Sequence, residues 1–202
     1  MHVAPALFPH DAWRPAAKSD VPDVDTPLGM LATTARVDDH ALRPEAAHRF
    51  DDGAGARLWV WEGGVFRAEL LRVRLAGATT SADATCEAAL WRLDAHERPA
   101  ECRIACGWRA PAPAAAERAP RDDQLAEWRW DADGWRVVVA TLTLDGASRL
   151  DGDAVIAGAP LERGARFETR FLVGWWPATG DAPRLVDRTA DQLLAALGER
   201  AW

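Results

Sequence analysis

A mainly β fold is what this chain predicts: an antiparallel β-sandwich or open barrel of about eight strands with a C-terminal amphipathic helix, or α+β if that helix packs across a sheet face. Three observations carry the expectation. Apolar and polar residues alternate with period two in short stretches along most of the chain. Turn residues such as Gly63-Gly64 and Asp131-Ala132-Asp133-Gly134 fall between those stretches. Eleven tryptophans and no tyrosine occur in 202 residues, and the tryptophans cluster inside the alternating stretches: Trp59 with Trp61, Trp128 with Trp130 and Trp135, Trp175 with Trp176. Each ring can bury roughly 200 Å² and carries one N–H that needs an acceptor. Such rings fill a core or form a platform for a ligand.

Residues 1–29 are rich in Pro and Asp without either periodicity, and they read as an extended arm; residues 30–202 read as one domain. Residues 32–37 are a plausible first strand, and Asp38-Asp39 precede an expected short helix over 44–49, with Pro44 suited to the first helical position. Strands over 58–62 and 65–76 flank Gly63-Gly64, a hairpin in which Trp61 is expected opposite Phe66 and Trp59 opposite Ala68. One face then carries Trp59, Trp61, Phe66, Ala68 and Leu70, and the other carries Leu58, Val60, Glu62, Arg67 and Glu69. The apolar phase changes between Leu70 and Leu71, which predicts a β-bulge.

Residues 85–93 and 101–108 are expected to pair around His96. The Ala/Pro stretch 110–121 reads as a mobile loop. Residues 125–130 and 135–144 flank a type I turn with Gly134 in the left-handed region. A short strand is expected over 154–157. Over 165–175, Phe167, Thr169, Phe171, Val173 and Trp175 share one face. From Asp187 as N-cap, a helix over 187–200 aligns Val186, Ala190, Leu193, Leu194, Leu197 and Ala201 on one stripe.

With 49% hydrophobic and 27% charged residues, the chain has enough apolar side chains to offset its conformational entropy. Twenty-four Lys and Arg against 31 Asp and Glu leave a net charge of −7, of which −4 falls in residues 1–55. That sign disfavours nucleic acid and membrane surfaces and favours a basic protein partner. No stretch approaches the ~20 apolar residues of a spanning helix, and the start lacks a signal-peptide pattern. Three cysteines, an odd number, fit a reducing compartment, so a cytoplasmic location is expected; the Ala, Arg, Asp and Gly bias fits a GC-rich bacterial genome.

Cys86, Ala88 and Leu90 share one strand face, as do Cys102, Ile104, Cys106 and Trp108. A hairpin centred on His96 would set Cys86 opposite Cys106. Buried thiols acting as small hydrophobes are the stronger reading. No CxxC or HExxH spacing supports a metal, no motif implies a cofactor, and no GxSxG, P-loop or GxGxxG pattern supports catalysis. Asp39-His40 and His48 with Asp51-Asp52 read as solvated surface. The run from Asp145 to Asp153 reads as an Asp/Gly turn and not as a calcium loop.

The expected function is therefore a cytoplasmic, non-catalytic binding protein that engages a basic protein partner. Small, acidic, motifless single domains of this kind are common among bacterial immunity proteins. The alternative is a small-molecule or carbohydrate binder that stacks its ligand in a Trp-lined cleft. Candidate contact residues are Trp13, Asp20, Asp23, Asp25, Trp59, Trp61, Trp176 and Trp202. Most other tryptophans are assigned to the core, because charged residues occupy the opposite strand faces.

Overall fold

The computed structural model describes residues 5–8, 13–17, 22–50, 56–63, 66–74, 85–120, 125–143 and 147–179. Fifteen strands form among them: β1 (Trp13–Pro15), β2 (Asp23–Thr26), β3 (Gly29–Val37), β4 (His40–Ala41), β5 (Ala46–Phe50), β6 (Arg57–Glu62), β7 (Phe66–Arg74), β8 (Thr85–Ala95), β9 (Ala100–Trp108), β10 (Glu117–Pro120), β11 (Leu125–Ala132), β12 (Trp135–Thr143), β13 (Ala147–Asp151), β14 (Ala154–Leu161) and β15 (Arg166–Pro177). They make two antiparallel sheets packed as a sandwich. The nine-stranded sheet has the order β1-β5-β6-β7-β8-β15-β12-β11-β10, and the six-stranded sheet has β13-β14-β9-β3-β2 with β4 on β3. No helix occurs among the described residues, and the expected helix over 187–200 lies outside them.

Period-two alternation builds the interior. In β15, Phe167, Thr169, Phe171, Val173 and Trp175 are all buried, while Arg166, Glu168 and Arg170 lie on the opposite face. Trp59, Trp61, Trp91, Trp128 and Trp130 join the same core from the nine-stranded sheet, met by Leu31, Ile104, Cys106 and Val155 from the other. Trp61 and Trp91 approach at 4.8 Å between centroids, and Trp108 meets Trp130 edge-on at 5.7 Å. The aromatic mass is core, as the alternation requires.

Several expected pairings change. The β6–β7 register sets Glu62 opposite Arg67 and Trp61 opposite Ala68, a shift of two residues that keeps the predicted faces and brings Arg67 Nη1 to 2.5 Å from Glu62 Oε2. No bulge interrupts β7: its register runs unbroken against both β6 and β8. Leu71 is apolar because the outer face is also covered there. Leu58, Val60, Leu71 and Leu90 pack beneath Leu7, Phe8 and Trp13 in a second, smaller core.

Residues 46–49, expected within the short helix over 44–49, fall instead in β5, which is paired on both edges with β1 and β6. Sheet pairing overrides the high helix propensity of Ala46 and Ala47. The hairpin expected between 85–93 and 101–108 does not form. Both edges of β8 are taken by β7 and β15, both edges of β9 by β14 and β3, and the intervening residues cross from one sheet to the other. The described part of the stretch 110–121, residues 110–120, is tied down. Ala112 N–H donates to Asp153 Oδ2 at 3.2 Å, and β10 pairs with β11.

The β11–β12 turn has two central residues, Asp133 and Gly134, both with positive φ (48° and 76°), the signature of type I′ and not type I. Asp38 and Asp39, at 48° and 63°, turn β3 into β4 in the same way and do not introduce a helix. Within residues 1–29, read as an arm, β1 and β2 are edge strands of the two sheets, and residues 5–8 lie across the outer face of the larger one.

Candidate functional site

The nine-stranded sheet extends past its partner at the β1-β5-β6 side, and there its inner face changes character. Along β6 the inward positions read Trp61, Trp59, Arg57; along β7 they read Ala68, Leu70, Arg72, Arg74. The first members are buried in the core. Arg57 stands directly opposite Arg72, Arg49 of β5 opposite Arg57, and Arg14 of β1 opposite Arg49. Four guanidiniums thus form one row across four strands.

The inner end of that row, Arg72, is compensated. Arg72 is half-buried, with its guanidinium carbon 5.6 Å from the Trp59 ring centroid and its Nε 3.1 Å from Glu87 Oε2; Nη1 donates to the Asp23 carbonyl. The Arg72–Glu87 contact is an ion pair without hydrogen-bond alignment at Oε2. Burial, with Arg57 and Arg74 adding repulsion, pulls the Arg72 guanidinium below its usual range against the attraction of Glu87 and Asp23. Arg49 and Arg57 are exposed and make no ion pair or hydrogen bond among the described residues. Beside them opens a pocket of about 160 Å³, lined by Trp59, Ala47, Ala16 and Ala17, with Arg49 and Arg57 also in its wall. His48, almost fully buried, contributes to the same lining.

The outer face of the same sheet is built differently. Glu62, Arg67, Asp94 and Arg166 stand opposite one another across β6, β7, β8 and β15, each next to a charge of the other sign. Glu69, Arg92 and Glu168 repeat the pattern one step along. Glu69 is 0% exposed. It accepts N–H groups from Ala6 at 2.7 Å and Phe8 at 3.0 Å, and takes Arg67 Nε at 2.8 Å. Arg92 bonds the Leu7 carbonyl at 2.7 Å and lies 4.4 Å from the Phe8 ring centroid. These charges anchor the N-terminal segment as a strap.

The proposed contact residues scatter. Trp59, though buried, is among the residues that line the pocket, and Trp61 is in the core. Trp13 and Trp176, expected to be accessible, are 8% and 3% exposed. Trp13 donates its indole N–H to the Phe8 carbonyl at 3.0 Å inside the outer core. Asp23 is half-buried and pairs with Arg109 at 2.8 Å, whereas Asp25 is exposed on edge strand β2. Asp20 and Trp202 lie outside the described residues. The arginine row escaped sequence reading, although Arg57 shares the period-two face of Trp59 and Trp61; with the residue-72 partner misregistered, its alignment with Arg72 was hidden.

Cys86 faces outward from the nine-stranded sheet beside Ala88, while Cys106 lies between the sheets opposite Thr33, so the two do not meet as the hairpin reading required. All three cysteines are free thiols, and burial pushes Cys86 and Cys106 up to about 12 and Cys102 up to about 11. Thiols held neutral in this way are poor nucleophiles and poor metal ligands. Among the described residues, no three His, Cys, Asp or Glu side chains gather as a metal site would require. Among the same residues, no helix is long and apolar enough to cross a membrane.

No family model matches the chain, and no curated protein matches it. A solved structure described as "Putative kojibiose phosphorylase from human microbiome" is similar to it with a TM-score of 0.44 and 12% identity, over 93% of this chain and 28% of that one. The chain thus spans about 28% of the length of that protein. A likeness at this level carries no argument about chemistry.

Proposed function

We propose that this protein is a non-catalytic binding module whose site is the pocket beside Trp59. The observation that carries the reading is a pocket lined by Ala16, Ala47 and Trp59 in whose wall stand Arg49 and Arg57, neither of which has an ion-pair partner among the described residues. Concave sites that join apolar lining to a few directed polar groups are the usual form of small-molecule sites. Titration of the protein with a panel of sugars and metabolites, followed by tryptophan emission, tests it. A saturable change with at least one member is expected, and unchanged emission throughout would overturn the reading.

A second reading, capture of a basic protein partner in the manner of an immunity protein, is favoured by the distribution of charge. The described residues hold nineteen Asp or Glu and nineteen Arg, so the net −7 belongs entirely to the remaining segments, among them Asp51-Asp52, Asp122-Asp123 and Asp187. Long-range steering of a basic partner would come from those segments and not from the sandwich. Titration with the product of an adjacent gene tests this reading, and absence of binding at micromolar concentration contradicts it. A cytoplasmic location belongs to both readings, since three buried, unpaired thiols are what a reducing compartment preserves.

A further inference from the structure

We infer that the pocket beside Trp59 binds an oxyanion, a phosphate or carboxylate group carried by a small molecule, through Arg49 and Arg57, the two members of the arginine row that stand in its wall. The inference rests on the reading of the pocket as a ligand site and names the chemistry of its ligand.

Like charges set directly opposite one another on neighbouring strands destabilise a sheet. A face selected only for solvation has no reason to line up four of them. The other face of this sheet shows the ordinary solution, with Glu62, Arg67, Asp94 and Arg166 alternating in sign from strand to strand. On the inner face the signs do not alternate. Arg14, Arg49, Arg57 and Arg72 follow one another, and among the described residues neither Arg49 nor Arg57 has a carboxylate partner.

Guanidinium forks present paired N–H donors that match the geometry of carboxylate and phosphate, so the lack of a counter-charge among the described residues and the donor geometry call for the same kind of group. Arg72 is restrained by Glu87, by the Asp23 carbonyl and by the Trp59 ring, which fixes the inner end of the row. Arg49 and Arg57 stand in the pocket wall, where an oxyanion reaches them from solvent, and the Trp59, Ala47 and Ala16 surfaces receive the uncharged remainder of the ligand.

Isothermal titration calorimetry of the full chain tests the inference, at matched ionic strength in chloride, with four probes: inorganic phosphate, citrate, phenyl phosphate and benzyl alcohol. The parallel titration uses the double variant Arg49→Gln/Arg57→Gln, whose thermal unfolding establishes that it folds. Phenyl phosphate is expected to bind, with at least one of phosphate and citrate also binding more weakly, and the double variant is expected to lose tenfold or more in affinity. The stronger of the phosphate and citrate arms identifies which oxyanion the site prefers. Binding of benzyl alcohol as tight as that of phenyl phosphate, or full retention of phenyl phosphate binding by the variant, overturns the oxyanion inference and leaves the pocket reading standing. Silence of all four probes overturns the inference, and the sugar and metabolite panel then decides the pocket reading by itself.

Discussion

Two sets of charged residues cross the nine-stranded sheet, and they obey opposite rules. On the outer face Glu62, Arg67, Asp94 and Arg166 alternate in sign, and ion pairs close at 2.5 Å for Arg67–Glu62 and 2.7 Å for Arg166–Asp94. On the inner face, four arginines stand in a line; Arg72 is paired with Glu87, and among the described residues Arg49 and Arg57 have no carboxylate partner. The alternating ladder serves the fold: it neutralises itself and holds the strap at residues 5–8. The arginine row is a cost to the fold, and a cost kept at a pocket mouth points to a ligand.

The ladder and the row separate most widely when one charge is removed from each. Glu69→Ala deletes the acceptor of Ala6 and Phe8 and leaves Arg67 buried beside an empty position, so a loss of about 3–5 kcal/mol is expected from denaturant unfolding. Faster proteolysis near residues 5–8 should accompany it. A loss below about 1 kcal/mol would show that the strap is not held by this carboxylate.

Alkaline pH acts on the thiols before it reaches either set of arginines. The three thiols are raised from 9.0 to about 12 at Cys86, about 11 at Cys102 and about 12 at Cys106 by burial. Because the unfolded chain ionises first, the stability from keeping them neutral is whole below pH 9 and is lost as pH rises from 9 toward 12. The slope reaches about 1.4 kcal/mol per pH unit for each thiol. The sequence has no tyrosine and a single lysine, Lys18, so little else titrates in that window. The variant Cys86→Ala/Cys102→Ala/Cys106→Ala should flatten the alkaline decline, and an unchanged decline would assign it to another cause.

Smaller effects distinguish the exposed ends of the two sets. Arg166→Gln breaks a solvent-facing pair with Asp94 and is expected to cost about 0.2–1 kcal/mol in urea unfolding. Arg57→Gln relieves repulsion on Arg72 and Arg49 and is expected to leave stability unchanged or to raise it by up to about 0.5 kcal/mol. A cost at Arg57 equal to that at Arg166 would mean that the row supports the fold after all.

The parts of this design that were legible in the sequence are those fixed by period two. The inward face of β15 and the shared face of Trp59, Trp61, Ala68 and Leu70 follow from alternation alone, because a buried face must be apolar whatever its neighbours are. Pairing was not legible. Residues 85–95 and 100–108 are good strands in sequence, yet the sheet to which each belongs depends on edges offered by distant strands such as β15 and β14. Where both faces of the large sheet are covered, as at Leu71, alternation fails as a guide, and a bulge was the wrong inference. The pocket was half legible: Trp59 was a named candidate, whereas the arginine row exists only through the registers of β1, β5, β6 and β7. Burial of Trp13 could not be read from its position beside Arg14, since it depends on the way residues 5–8 fold over the outer face with Leu58, Val60, Leu71 and Leu90.

The central claim is that the arginine row is completed by an oxyanion, and the most direct measurement is the thermal midpoint in phosphate against chloride at equal ionic strength, for the unmodified chain and for Arg49→Gln/Arg57→Gln. Phosphate strengthens burial in any folded protein, and the variant records that general effect. Specific binding adds stabilisation to the native state alone. The account predicts that phosphate raises the midpoint of the unmodified chain further than that of the variant, with the excess saturating as phosphate increases; equal shifts in the two proteins at every phosphate concentration would contradict it.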